Sequence, residues 1–157
     1  MFHTTGAPAA ERYLDQSKVG EWVDHPNASM ASGARNVVDG LDWYVQRDAA
    51  DGRPMKSLDE SKVISLQAID VMVRLDVVLN DGSALAGRVI LWDGPNFKPV
   101  EAPVIACAFA HALTALYPER NFTTIGIWQA RRQHHVEVPH SDALVQTAAA
   151  GAILAAM

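Results

Sequence analysis

Chemistry, if this chain does any, has few residues to work with, and the densest group lies near the C-terminal end: His134, His135, Glu137 and His140. Imidazole and carboxylate are ligands that zinc takes, provided the side chains converge on one point. On an extended strand His135 and Glu137 fall on one face and His134 on the other, while His140 lies beyond Pro139. The group therefore reads as the polar surface of a hairpin edge, and no metal ligand is assigned. His111 sits between Phe109 and Leu113, where a half-buried imidazole with a hydrogen-bond partner is the simple reading. Cys107, in the same apolar run, reads as a small core residue. Ser, His and Asp are all present, but no Gly-x-Ser-x-Gly elbow occurs. There is no Gly-x-Gly-x-x-Gly and no Gly-rich phosphate loop followed by Lys-Ser/Thr. No catalytic residue and no cofactor is assigned.

The elements that must carry these residues are legible from periodicity. Residues 1–10 read as a loose tail and Tyr13 to Val23 as a short helix, broken at His25-Pro26-Asn27. Val37, Val38, Leu41, Trp43, Tyr44 and Val45 give a second helix, Ser32 to Val45, a wide apolar face. Asp48 to Lys56 reads as a polar loop. From Lys62 the pattern turns extended, and Val71, Val73, Leu75, Val77 and Leu79 alternate with period two. Asn80-Asp81-Gly82 is a turn signal, and Ala84 to Trp92 returns as the partner strand, ended by Asp93 to Asn96. Ala102 to Tyr117 is a helix rich in Ala and Leu, with Pro103 in its first turn and Pro118 stopping it. Phe122 to Gln129 and His134 to Val138 form a second hairpin. Ser141-Asp142 offers an N-cap for a last helix, Ala143 to Met157. The fold class this implies is α+β, a mixed α/β layer fold with a central, mostly antiparallel, hairpin-built sheet flanked by helices.

That order of hairpin, helix closing on Leu116-Tyr117-Pro118, and hairpin closing on Val136-Glu137-Val138 resembles the RecB-type branch of the PD-(D/E)XK nucleases. The resemblance covers about residues 30–155 and implies a restriction-endonuclease-like fold. It is carried by element order and spacing more than by motif letters. Where the family has Gly-x-x-x-His on a helix, this chain has Gly33 and then Val37. Where the family has Gly-x-x-Asp on a strand, Val73 replaces the glycine and Asp76 remains. Where a carboxylate, a spacer and a lysine end the next strand, this chain has Ile90, Leu91 and Trp92; where Gln-x-x-x-Tyr follows, it has Ile105 and Phe109. The resemblance thus implies a nuclease fold whose motifs have degenerated. Metal-dependent cleavage needs two or three oxygen or imidazole ligands on the ion, and a lone Asp76 does not supply them. Asp76 reads most simply as a strand-end aspartate. The resemblance also leaves room for a relocated acidic site, for which Asp76, Asp93 and Glu101 are the candidates.

At 157 residues the chain is one domain by length, reading as a single nuclease-like domain over 1–157. Its net charge of −5 argues against a strong electrostatic grip on nucleic acid. Arg131 and Arg132 are the one adjacent basic pair, and a nucleic-acid groove would require them to converge with Arg74, Arg88 and Lys98. With a single cysteine no intrachain disulfide forms, and the N-terminus lacks a secretory pattern, so the reading is a soluble, cytoplasmic protein. The longest apolar run, Pro103 to Leu116, reads as too short to span a bilayer. The four tryptophans, Trp22, Trp43, Trp92 and Trp128, read as core or core rim. In the alternative, Trp92 and Trp128 form an exposed platform which, with Arg131 and Arg132, meets a partner. The function expected is a protein-interaction or regulatory subunit with a protein partner or a second copy of itself. Its contact surfaces would be the segment 122–138 and the Ala-rich last helix. The alternatives are a weak nucleic-acid-binding module and a metal-dependent nuclease with a relocated site.

Overall fold

The computed structural model describes residue 21 and residues 23–67, 69–91 and 97–155, the side chains at 55–59, 76, 77, 79, 81, 154 and 155 excepted. The first helix described along its length, α1, spans Ala28–Asp51. Asn27 caps it, its side chain accepting from the N–H groups of Ser29 and Met30 at 3.0 and 3.3 Å, which satisfies two of the donors every helix start leaves open. Gly52 ends it at φ 66°, a left-handed conformation that glycine adopts without steric cost. Three strands follow: β1 (Met55–Leu66), β2 (Ile69–Asp81) and β3 (Ala84–Leu91). After a single 3-10 turn at Pro99–Glu101 comes α2 (Ala102–Leu116). Then come β4 (Phe122–Gln129), another 3-10 turn at Ala130–Arg132, and β5 (His134–Pro139). Two short helices, α3 (His140–Leu144) and α4 (Thr147–Ala155), complete the described chain.

The fold is α+β. The strands form one five-stranded sheet in the order β1-β2-β3-β4-β5. Each neighbour pair is antiparallel except β3 with β4, which is parallel. A parallel pair cannot be joined by a tight turn and needs a crossover; α2 is that crossover. Its buried residues Ala106, Cys107, Ala110 and Leu113 join Leu66, Val73, Val89, Ile125 and Ile127 in the main core. A Cβ placed on Gly87 would collide with Leu113 Cδ1, so β3 meets α2 through this residue's lack of a side chain. The next residue, Arg88, points to the other face, where it reaches Asp48 and Asp51 at the end of α1. Helices therefore cover both faces of the sheet at β3. At β4, α1 lies close over the turn that follows: a Cβ on Gly40 would stand 3.1 Å from the Ala130 carbonyl carbon and oxygen.

Several boundaries differ from the sequence reading. Helix α1 starts at Ala28 and not Ser32, and runs to Asp51 and not Val45, so Asp48 to Asp51 is helix and not loop. An additional strand, β1, occupies Met55–Leu66. The hairpin of β2 and β3 forms, but β3 lies opposite only Val77 to Asp81, while β1 pairs along the other edge of β2 from Ile69 to Leu79. The last helix breaks into two pieces at residues 145 and 146, and its N-cap is Pro139 without a side-chain cap, not Ser141-Asp142. By length and composition the 18 residues Pro99–Leu116 would suffice to cross a membrane, which corrects the expectation of a run too short. Here that stretch packs on the sheet as the core helix. The expected tail at 1–10 and most of the helix at 13–23 lie outside the described residues.

Candidate functional site

Among the described residues, two concave regions on opposite faces of the sheet stand out. The larger is a cavity of about 740 Å³ bounded by β2, β3, α2 and α4. Val104, Ile105 and Ala108 on one face of α2, with Glu101 from the 3-10 turn before it, form one wall. Val71, Val73, Val89 and Leu91 supply the sheet side; Phe97, Ala150 and Ile153 close the ends. Arg74 and Glu101 are the charged residues at its edge among those that line it. Concave apolar regions of this size with few polar groups are where small ligands and anchor side chains are held.

The smaller region is a cleft of about 230 Å³ lined by Arg47, Asp51, Arg53, Trp128, His135 and Glu137. It is built around Arg88, whose side chain is 1% exposed. Arg88 lies with its guanidinium carbon 3.8 Å from the Trp128 ring centroid, a cation–π geometry. It pairs with Asp48 and, at 2.6 Å, with Asp51. Arg53 forks onto the same Asp51 at 2.6 and 2.8 Å and approaches Glu137 at 3.6 Å. The Arg53 hydrogen bond holds the Asp51 carboxyl below its usual range, against the upward push of burial. Trp43 and Tyr44 pack on Trp128 at 5.6 and 5.5 Å, and His135 stands 5.6 Å from it. Arg47 donates to His135 Nε2 at 3.0 Å. Burial, and next the Arg47 charge, lower the His135 pKa, so the imidazole stays neutral and able to accept. The charges of this cluster compensate one another: three arginines face Asp48, Asp51 and Glu137. It locks α1 onto the sheet and leaves no surplus charge for an anion.

The residues singled out in the sequence meet different surroundings. Glu101 is exposed, and its carboxylate accepts the Lys98 N–H at 2.8 Å, capping the 3-10 turn. Asp76 lies on β2 with its side chain outside the described part; Asp93 and Trp92 lie wholly outside it. Among the described residues no group of three His, Cys, Asp or Glu is placed to hold a metal. Trp128 is 1% exposed, so it is not part of a surface platform; the parallel strand β3 and helix α1 enclose it. Arg131 and Arg132 are exposed in the turn after β4, but Arg88 is withdrawn from any basic stripe by its aspartates. His135 and Glu137 share the cleft face while His134 packs against Phe97 at 5.8 Å, as strand alternation requires. His111 bonds Thr147 Oγ1 at 2.9 Å, tying α2 to α4. Cys107 is buried, and burial raises its thiol pKa, which disfavours the thiolate. Of the surface expected at 122–138, β4 lies between β3 and β5 with both edges paired, whereas β5 stands at the end of the sheet.

The cavity and the Arg88 cluster were not assembled in advance. Arg88 did leave a signal: it is the one charge in the run Ala84 to Leu91. An interior strand buried on both faces reads as an apolar run, and a charge within it must be paired. Comparison with protein-family models and with curated protein sequences gives no match.

Proposed function

We propose that this chain is a catalytically silent, nuclease-like domain that acts by contact, as an interaction or regulatory subunit that receives an apolar segment of a protein partner in the 740 Å³ cavity. The observation that carries the reading is the character of that cavity. Strand β3 borders it at Val89, Ile90 and Leu91, the stretch where the resemblance would put a metal-binding carboxylate. A ligand shell for Mg²⁺ needs several oxygens, and this wall offers side chains suited to dry contact. The order of elements, a helix, a three-stranded meander, a crossover helix and a further hairpin, also supports the nuclease-like ancestry.

Two measurements test the reading together. The purified chain with Mg²⁺ or Mn²⁺ leaves single- and double-stranded DNA intact. The chain retrieved from its native host brings down a protein partner, and Ile105→Asp, which places a carboxylate in the cavity wall, loses that partner while its circular dichroism stays that of the wild type. Cleavage abolished by Asp76→Ala would replace this function with a relocated nuclease site. A partner held equally by Ile105→Asp would remove the cavity from it.

A further inference from the structure

Strand β1 is the end of the sheet, and among the described residues nothing pairs with its outer edge. At 12 residues it is twice the length of β5 at the other end, which has 6. Open edges are templates for another strand, and proteins blunt them with bulges and charges. Here a register shift between Ser57 and Glu60 interrupts the first half of β1, and the ladder from Glu60 to Leu66 is regular. That regular half carries two exposed apolar neighbours. Val63 is 55% exposed, and its cross-strand partner Met72 is 74% exposed.

We infer that two copies of this chain pair antiparallel along β1, about a twofold axis at Val63, to make one continuous sheet. In a regular antiparallel ladder opposed residues face the same side, so the axis must pass at a residue that meets its own copy. Charge and the length of regular strand engaged decide which. An axis at Glu60 or at Lys62 sets like charges directly opposite, which is unfavourable. An axis at Ser61 sets Glu60 against the partner's Lys62, but it drives the irregular stretch at 58–59 of each copy into the ladder of the other. An axis at Val63 engages the whole regular segment, places Ser61 against the partner's Ser65 and opposes no like charges. On the exposed face it aligns Met72, Val63, the partner's Val63 and the partner's Met72 into one apolar strip. The inference rests on the outer edge of β1 and not on the proposed function, although Met72 and Leu66 also line the cavity.

Cysteine placement reads both the pairing and its register. Residues directly opposed across an antiparallel pair stand about 4.5–5.5 Å apart at Cα, within the span of a disulfide. The native Cys107 is buried and does not compete. Under mild oxidation Val63→Cys forms a covalent dimer. Ser61→Cys and Ser65→Cys do not link alone but link when mixed. Light scattering gives a dimer for the wild type, and Val63→Lys, which sets two ammonium groups at the axis, gives a monomer with unchanged circular dichroism. A wild type that stays monomeric over the whole concentration series overturns the inference, as does a dimer that survives Val63→Lys. Self-linking of Ser61→Cys in preference to Val63→Cys overturns the register.

Discussion

Arg88 is enclosed by Asp48, Asp51 and the face of Trp128, and that enclosure sets its energetic role. Truncating one member of a buried ion pair leaves its partners desolvated and unpaired, at about 3–5 kcal/mol. Arg53 still holds Asp51, so Arg88→Ala lowers the stability by about 3 kcal/mol, measured by urea unfolding. Arg131→Ala, an exposed arginine in a turn, stays within about 0.5 kcal/mol. Acid sensitivity also resides in single residues. Burial lowers the pKa of His135 and His140 below 6.5, the Arg47 charge adding to it at His135 and His111 at His140. Between that lowered value and 6.5 the unfolded chain binds more protons than the folded one, so stability falls as pH falls through this window. Asp51, held below 3.8 chiefly by Arg53, contributes stability that is whole above 3.8 and lost as pH drops through its lowered value. Unfolding midpoints across pH thus decline in two stages, one below 6.5 and one below 3.8. The double variant His135→Asn/His140→Asn lacks the upper stage. A flat profile from neutral pH down to about 4, near the carboxyl reference values, would refute the histidine assignment.

Helix α1 shows how an element divides its labour, and two of its glycines report it. Gly33 has no atom within 4 Å of where a Cβ would stand, so Gly33→Ala gains helix propensity, about 0.5–1 kcal/mol, at no steric cost. Gly40 faces the Ala130 carbonyl carbon and oxygen at 3.1 Å and the Arg131 nitrogen at 3.2 Å, all backbone. Gly40→Ala therefore lowers stability by about 1 kcal/mol, an overpacking cost exceeding the propensity gain. Thermal unfolding of the two variants should move in opposite directions; an equal rise in both would mean α1 does not sit tightly on that turn. Elements with one strong periodicity were legible: α2, the β2–β3 hairpin and the β4–β5 hairpin all stand where the alternation and Pro118 put them. The end of α1 was not, because Asp48 and Asp51 look like loop residues until their partner, Arg88, about 40 positions away, is known. The first half of strand β1, before the extended pattern read from Lys62, was missed for a related reason. Ser57, Asp59, Glu60, Ser61 and Lys62 make it polar, and an edge strand alternates apolar residues on one face only.

At the scale of the whole molecule, composition and architecture converge on one expectation about nucleic acid. The net charge is −5, and affinity for duplex DNA scales with the number of phosphates neutralised. The sequence supplied a basic set, Arg74, Arg88, Arg131, Arg132 and Lys98, whose union would make a groove. The fold subtracts Arg88, the member nearest the middle of the sheet, because Asp48 and Asp51 neutralise it inside the protein. Linear sequence could not reveal this, since it lists charges without their partners. The acidic side of the candidate site was equally opaque: Glu101 looks available in sequence, yet its carboxylate is committed to the Lys98 N–H. Binding to duplex DNA is accordingly undetectable by fluorescence anisotropy at about 150 mM salt, where non-specific affinity depends on released counterions. Lowering the salt brings out weak association without sequence preference, and Arg131→Glu/Arg132→Glu abolishes it, because these arginines are exposed. A tight, saturable complex at physiological salt would show that the remaining cations form a true groove. It would favour the nucleic-acid-binding alternative over the proposed role in meeting a protein.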